Sequence, residues 1–100
     1  MAASSFSAAA RDLSAIGRRF YTRGWVLGTS GNFSAVVSRD PLRMAITASS
    51  VHKGALRASH ILAVDDAGAP VGRSDGAPYA ETLLHVEIVK RLGAGAVLHT

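Results

Sequence analysis

Residues 28–38 read Gly-Thr-Ser-Gly-Asn-Phe-Ser-Ala-Val-Val-Ser, and the layout of the chain follows from this stretch. Its first half places two glycines among small polar residues, which is the composition of a loop. Its second half, residues 33–38, has the β-branched content of a short strand. The glycines would let the backbone approach an anion closely, with Thr29, Ser30 and Asn32 as hydrogen-bond donors. An ordinary helix-to-strand turn has the same composition, so this motif alone leaves both interpretations open.

A helix is predicted on the N-terminal side of this stretch, over residues 5–23. Gly24 offers a C-terminal stop for it. Apolar side chains recur at helical spacing with arginines between them, namely Leu13, Ile16, Phe20 and Tyr21. The same segment is rich in Ala, Ser and Arg, as transit peptides are. We favour the helix because of the apolar periodicity.

Strands are predicted on the C-terminal side. A turn at residues 39–41, in which a proline fixes φ, joins the first strand to a returning strand at 43–47. A third strand is predicted at 61–65 and a further one near 70–72. The chain thus begins with one helix followed by antiparallel strands.

The last part of the chain predicts a helix and then a strand. Residues 79–92 carry Leu84, Ile88 and Leu92 at every fourth position, which indicates a core-facing stripe. Residues 94–100 follow as a strand that is apolar almost to its end. Helix, antiparallel strands, helix and strand in this order predict an α+β or mixed α/β layer.

Composition narrows the classes of protein to which the chain can belong. One small domain fits 100 residues, and 48% hydrophobic with 18% charged residues suits a packed core rather than a disordered segment. No apolar run approaches the roughly 20 residues needed to span a bilayer, so no membrane partner is expected. Because the chain has no cysteine, it can form neither a disulfide nor a thiolate metal site. This fits a reducing compartment.

The net charge of +4 is distributed along the chain, with arginines scattered from Arg11 to Arg91. A nucleic-acid-binding domain more often clusters its basic residues with stacking aromatics, and aromatic residues make up only 6% here. No nucleic-acid partner is therefore expected. A mild positive field would instead draw an anionic small substrate.

Hydroxyl groups at Ser49 and Ser50 directly follow the strand predicted at 43–47. Such hydroxyls can hold phosphate oxygens, and Lys53 could add positive charge. A polar loop with a solvated lysine is the alternative interpretation.

Three residues could bind a metal or move protons. Glu81 and His85 share one helical face at i and i+4, although they also fit a glutamate favoured by the helix dipole beside a half-buried histidine. His99 emerges from what is predicted to be a buried strand, and a rigid strand fixes the geometry of a ligand. One histidine does not make a zinc site, because zinc takes three or four ligands, so a satisfied core histidine is the alternative.

Taken together, four motifs in this order resemble the class II aldolase/adducin family, and the similarity runs from about residue 12 to the last residue. The motifs are Gly-Thr-Ser-Gly-Asn-Phe-Ser at 28–34, Ile-Thr-Ala-Ser-Ser at 46–50, Pro-Tyr-Ala-Glu at 78–81 with His85, and Ala-Val-Leu-His-Thr at 96–100. The resemblance implies an α/β fold with class II aldolase-like α/β/α layers around a largely antiparallel central sheet. Residues 1–100 would be the N-terminal part of a single domain of this type.

The resemblance also implies roles for individual residues. His99 would be the first ligand of a Zn²⁺ cofactor, whose other histidine ligands would lie beyond residue 100. Glu81 matches the acid/base glutamate of the aldolase branch, whereas in the dehydratase branch a later acidic residue is the alternative. The phosphate of the substrate would be bound by Gly31, Asn32, Ser49 and Ser50.

Three positions depart from the family pattern. Ala48 stands where proline is usual, and Tyr79 where a phosphate-binding serine is common. Ser50 stands where glycine is usual, so a left-handed turn there would be strained by its Cβ.

Residues 23–32, 53–54 and 81–85 are most similar to the branch of the family that dehydrates 5-methylthioribulose 1-phosphate to 2,3-diketo-5-methylthiopentyl 1-phosphate in methionine salvage. This implies a zinc-dependent lyase that acts on a small sugar phosphate, assembles as a homotetramer and works in the cytoplasm. A sugar-phosphate aldolase or epimerase of the same family is one alternative. A non-catalytic, adducin-like interaction domain is the other.

Overall fold

Two helices and four strands follow one another in the computed structural model, which describes residues 5–72 and 81–100. In chain order they are α1 (Phe6–Thr22), β1 (Asn32–Arg39), β2 (Leu42–Thr47), β3 (Ile61–Val64), α2 (Thr82–Leu92) and β4 (Ala96–His99). Two short 3₁₀ turns, Lys53–Ala55 and Ala58–His60, lie between β2 and β3. Neither α1 nor α2 combines the length and hydropathy that crossing a lipid bilayer requires.

Helix α1 confirms the first predicted helix and packs closely on the sheet through small residues. Its N-terminus is capped by Ser5, whose Oγ accepts a hydrogen bond from the backbone N–H of Ala8 at 3.1 Å. At Gly17 a Cβ would stand 3.2 Å from Phe33 Cε2 on β1 and 2.6 Å from Leu56 Cδ2 between β2 and β3. The buried face consists of Ala9, Ala10, Leu13, Ser14 and Gly17. The predicted apolar stripe is therefore only partly buried, because small residues let the helix approach closely.

The four strands form one antiparallel sheet in the order β3-β2-β1-β4. Asn32 at the start of β1 lies opposite His99 at the end of β4. Thr47 at the end of β2 lies opposite Ile61 at the start of β3. Because β1 runs antiparallel to both neighbours, its first residue meets the last residues of β2 and β4 at one end of the sheet.

Apolar side chains fill both faces of the sheet. On one face α1 packs against Phe33 and Ala45. On the other face α2 contributes Val86 and Val89 to a second cluster. The rest of this second cluster comes from β2, the residue that follows it and β3, namely Met44, Ile46, Ala48, Leu62 and Val64. Adjacent β2 residues thus point to opposite faces, as the pleat requires, and the predicted α/β/α layering is confirmed.

The predicted core stripe of α2 is wrong. Leu84 is 53% exposed and Leu92 77% exposed, so the described residues leave these leucines outside the core. The buried face is rotated from them and carries Thr82, His85, Val86 and Val89. The stripe was predicted from the spacing of apolar residues alone. That criterion passed over His85, whose polar ring can be buried because it forms hydrogen bonds with residues of β1. The helix ends at Leu92 and is capped by Gly93, which adopts the left-handed φ of 66°.

Two strand predictions also need correction. Near residues 70–72 there is no regular strand but a single bridge between Val64 and Pro70, since proline has no N–H to extend a ladder. β4 is an exposed edge strand rather than a buried one, and Leu98 is 44% exposed. Positions 79 and 80 of the predicted second helix lie outside the described residues, and α2 begins at Thr82.

Candidate active site

Most of the residues singled out from the sequence lie at one end of the sheet. Asn32 begins β1 directly after Gly31, and His99 ends β4 opposite Asn32. The loop with Ser49 and Ser50 follows the end of β2, where Phe33 N–H donates to Thr47 Oγ1 at 3.1 Å. The structure therefore brings the predicted phosphate-binding residues and the predicted metal ligand to the same end of the sheet.

The side chain of Asn32 meets that of His99 across the β1–β4 pair. Nδ1 of His99 lies 3.1 Å from Oδ1 of Asn32, which is itself buried. An amide oxygen can only accept, so Nδ1 carries the proton and donates it. The other ring nitrogen, Nε2, then holds a lone pair, which is the form of imidazole that binds a metal.

Asn32 Oδ1 also accepts a hydrogen bond from Nε2 of the fully buried His85. The remaining nitrogen of this ring, Nδ1, lies 2.6 Å from the hydroxyl of Ser34, which is likewise buried. Because Nε2 holds the ring proton, Nδ1 accepts and the serine hydroxyl donates. We refer to Ser34, His85, Asn32 and His99 as the Asn32 network.

The imidazole of His85 is kept neutral by its surroundings. Burial lowers its pKa below the ordinary value, the nearby His99 lowers it further, and Glu81 acts in the opposite direction. A neutral ring is what the hydrogen bond from Ser34 requires, since a protonated ring has no acceptor. A half-buried histidine was one of the two interpretations of this position, whereas Ser34 was quoted only as the last residue of the motif at 28–34, with no role of its own.

Glu81 immediately precedes α2 as its N-cap residue and is half-buried. Its side chain makes no capping hydrogen bond, and its backbone carbonyl accepts from the N–H of His85 at 3.2 Å. Glu81 thus lies one helical turn before His85, a member of the Asn32 network. The position of Glu81 at the N-terminus of α2, where the helix dipole favours a carboxylate, agrees with the alternative interpretation of this residue.

Gly31 is the glycine on which the approach of β1 to β4 depends. It adopts φ +85°, and a Cβ there would stand 2.8 Å from Val26 Cγ1 and 3.2 Å from the backbone oxygen of His99. A side chain at this position would therefore be strained and would push the end of β4 away.

The loop after β2 carries the two predicted phosphate hydroxyls. Their Oγ atoms are 3.5 Å apart, and Ser49 is half-buried whereas Ser50 is exposed. Ser50 adopts φ 65°, so the predicted strain of a residue with a Cβ at this turn is confirmed.

Lys53 joins this loop to the glycine loop before β1. Its side chain is fully buried, and Nζ donates to the carbonyls of Thr29 at 2.9 Å and Val51 at 3.1 Å. Its backbone N–H donates to Gly28 O at 2.7 Å. Burial lowers the pKa of the ammonium group. The alternative of a solvated lysine is therefore wrong, because Lys53 binds one loop to the other.

Residues 5–72 and 81–100 contain no cluster of three or more His, Asp or Glu side chains placed closely enough to hold a metal ion. His52 and His60 are used locally, each accepting a backbone N–H at a 3₁₀ turn. Position 79, where the sequence departs from the family pattern, lies outside the described residues. Among the described histidines, His99 combines exposure with a fixed tautomer, and this makes it the candidate ligand.

Comparison with protein families gives a match to the class II aldolase and adducin N-terminal domain over residues 11–100. A methylthioribulose-1-phosphate dehydratase from Acidiphilium cryptum (strain JF-5) is 50% identical over 91 residues, which cover 90% of this chain and 42% of that protein. A protein of the same name from Bacillus cereus (strain B4264) is 44% identical over 88 residues, again 42% of its length. The chain thus spans less than half the length of these relatives.

Solved structures show the same fold. An aldolase II superfamily protein from Pseudomonas syringae superposes with a TM-score of 0.80 at 26% identity, covering 94% of this chain and 39% of that chain. The L-fuculose-1-phosphate aldolase from Thermus thermophilus superposes with a TM-score of 0.74 at 26% identity, covering 93% of this chain and 46% of that chain. The antiparallel sheet with a helix layer on each face is therefore shared with these structures.

Proposed function

The chain belongs to the class II aldolase and adducin family, and we propose that its protein catalyses the zinc-dependent dehydration of 5-methylthioribulose 1-phosphate to 2,3-diketo-5-methylthiopentyl 1-phosphate in methionine salvage. Support comes from the two dehydratases that are 50% and 44% identical to it. Because both relatives are more than twice as long as the matched region, we also propose that residues 1–100 are the N-terminal part of a single domain.

The observation that carries the proposal is the hydrogen bond between His99 and Asn32, which leaves Nε2 of His99 as a ligand atom. An imidazole nitrogen suits Zn²⁺, whose remaining ligands would come from outside the described residues. When bound, Zn²⁺ supplies a Lewis acid that polarises the carbonyl of the substrate. The part of His99 is to hold the ion at a fixed place beside the phosphate loops.

Binding of the phosphate is assigned to the two loops at the same end of the sheet. Gly31 allows close approach of the backbone, and Ser49 and Ser50 offer hydroxyl donors. Asn32 uses its oxygen for the two imidazoles, so its amide nitrogen is the atom proposed to donate to phosphate. Lys53 holds the two loops together and thereby helps to orient the substrate.

Proton transfer is assigned to Glu81, with an acidic residue outside the described part as the alternative base. Its carboxylate makes no capping hydrogen bond, and Glu81 lies one helical turn before His85 of the Asn32 network. The base removes a proton from the carbon beside the carbonyl, and the hydroxyl on the next carbon leaves as water. The resulting enol then tautomerises to the diketone, which accounts for all atoms of the dehydration.

The decisive experiment measures zinc content and dehydratase turnover of the full-length protein, with His99→Ala beside it. We expect His99→Ala to lose most of its zinc and its turnover. His52→Ala is the matched control, because His52 is exposed and its Nδ1 accepts from the N–H of Gly54 in its own 3₁₀ turn. Unchanged zinc content in His99→Ala would rule out its role as a ligand. Absence of both zinc and turnover in the wild type would favour an adducin-like interaction domain.

The fold shared with an L-fuculose-1-phosphate aldolase supports a second candidate, a sugar-phosphate aldolase. An aldolase breaks a carbon–carbon bond and releases an aldehyde, whereas a dehydratase releases only water. A coupled assay for aldehyde release on the same purified protein separates the two. The family resemblance also leads us to propose a homotetramer that works in the cytoplasm.

A further inference from the structure

We propose that Ser34 and His85 act through Asn32 as positioning residues that fix the tautomer and orientation of His99, so that Nε2 of His99 faces the metal. The inference deepens the proposed function, because it rests on His99 being a zinc ligand. The tautomer itself, however, can be measured without metal, so the two claims can fail separately.

The direction of every hydrogen bond in the Asn32 network follows from one atom. Oδ1 of Asn32 has no proton, so both rings that contact it must donate. This places a proton on Nε2 of His85 and on Nδ1 of His99. Nδ1 of His85 must then accept, and the Ser34 hydroxyl at 2.6 Å is its donor. A serine hydroxyl can donate or accept, and here it donates, so its hydrogen bond supports the tautomer of His85 that the Asn32 oxygen requires.

The network is also held rigidly by three elements of the fold. Ser34 and Asn32 are two residues apart on β1 and therefore project from the same face of the sheet. His85 reaches them from α2, and His99 is fixed opposite Asn32 by the β1–β4 register. Ser34, His85 and Asn32 are buried, so water cannot readily replace a lost partner.

Loss of the Ser34 hydroxyl would release this constraint. Without a donor at Nδ1, the His85 ring can move its proton to Nδ1 and present Nε2 as an acceptor. The amide of Asn32 would then turn to donate its nitrogen to His85, and its oxygen would no longer face His99. His99 could in turn protonate Nε2, the atom needed for the metal. One amide therefore couples the states of the two imidazoles.

The first measurement is ¹⁵N NMR of histidine-labelled, metal-free full-length protein, which distinguishes a protonated from an unprotonated ring nitrogen. In the wild type we expect His99 to carry its proton on Nδ1. A wild-type His99 with its proton on Nε2 would overturn the inference, whatever the variants do.

The second measurement compares variants that break the network with variants that preserve it. Ser34→Ala removes the donor to His85, and His85→Leu removes the donor to Asn32. In both variants we expect a mixture of His99 tautomers and a zinc affinity about tenfold weaker or more. His85→Gln should keep the His99 tautomer and the zinc affinity of the wild type, because its amide can accept from Ser34 and donate to Asn32. Ser38→Ala is the matched control, since the hydroxyl of this serine on β1 donates to Pro41 O, outside the Asn32 network.

The outcomes separate this inference from the proposed function. An unchanged His99 tautomer and unchanged zinc affinity in Ser34→Ala and His85→Leu would refute the positioning role while leaving His99 as a ligand. A tautomer that shifts in these variants, in a protein whose wild type binds no zinc, would refute the metal proposal and keep the network. If both variants fail to fold, the comparison of wild type with His85→Gln decides, because a changed tautomer in that variant contradicts the inference.

Discussion

Asn32 and His99 lie opposite each other on β1 and β4, and the oxygen of the amide is 3.1 Å from Nδ1 of the imidazole. The same oxygen accepts from His85 on α2, so one buried side chain joins a helix and two strands. This arrangement fixes which nitrogen of His99 is available to a ligand. It also makes Asn32 important for stability as well as for binding.

Replacing Asn32 by Leu should destabilise the protein, because the shape is nearly kept while the buried N–H of His85 loses its acceptor. An unsatisfied buried group costs about 1–3 kcal/mol, and we expect a loss of unfolding free energy in that range. Urea denaturation of the full-length protein measures it. Ser38→Ala on the same strand should change the unfolding free energy by less than about 0.5 kcal/mol. Equal stabilities of Asn32→Leu and wild type would contradict the burial argument.

Gly31→Ala should cost more stability than Gly24→Ala. Both glycines have positive φ, +85° and +77°, but only at Gly31 would a Cβ meet close neighbours. Gly24→Ala therefore reports the backbone strain alone, on the order of 1–2 kcal/mol. Gly31→Ala adds a clash with Val26 and with the backbone of His99, and should also raise KM for the sugar phosphate. Thermal unfolding and steady-state kinetics of the two variants test this, and equal losses in both would show that the contacts do not matter.

Ser50→Gly should stabilise the protein, since Ser50 occupies φ 65°. Removing the Cβ relieves the left-handed strain, and the extra freedom of glycine in the unfolded state offsets part of the gain. We expect a net gain of about 0.5 kcal/mol in unfolding free energy, measured by chemical denaturation. Ser49→Gly is the control, because Ser49 has no positive φ and should gain nothing. A destabilised Ser50→Gly would mean that its hydroxyl contributes more than the strain costs.

Lys53→Met should raise KM for the sugar phosphate more than it lowers kcat. The change keeps a long apolar stem but removes the ammonium group that binds the carbonyls of Thr29 and Val51, so the two loops should lose their common register. Steady-state kinetics on the full-length protein measures this, with Lys90→Met on the exposed side of α2 as the control. A KM equal to that of the wild type would contradict the role of Lys53 in joining the loops.

His85 should make the stability of the metal-free protein depend on pH in the acid range. Its pKa in the folded state is lowered below the ordinary 6.5, so below that pH the unfolded chain binds a proton that the folded protein does not. Stability should therefore fall as the pH drops from 6.5 toward the lowered pKa, and level off below it. His85→Gln does not titrate and should lose less stability over this interval. If the unfolding free energies of the two proteins fell equally with pH over this interval, the pH dependence could not be due to His85.

Local pattern in the sequence was sufficient for much of the backbone. The periodicity before Gly24 predicted α1, and the β-branched runs predicted β1, β2 and β3 within a residue or so, because these preferences depend on neighbours along the chain. The ordered motifs that end in His99 also pointed to the family, which the match over residues 11–100 shows. The strain at Ser50 was predicted because the family pattern has glycine at this position.

The buried polar contacts were decided by tertiary structure. Ser34 was not singled out, Lys53 was open to interpretation as a solvated side chain, and the core face of α2 was assigned to the wrong leucines. The reason is distance along the chain: the hydrogen bonds of the Asn32 network join residues 51, 53 and 67 positions apart. Such contacts arise only when strand register and helix packing are set, so sequence determined the elements and their chemistry, whereas the fold determined which polar groups meet.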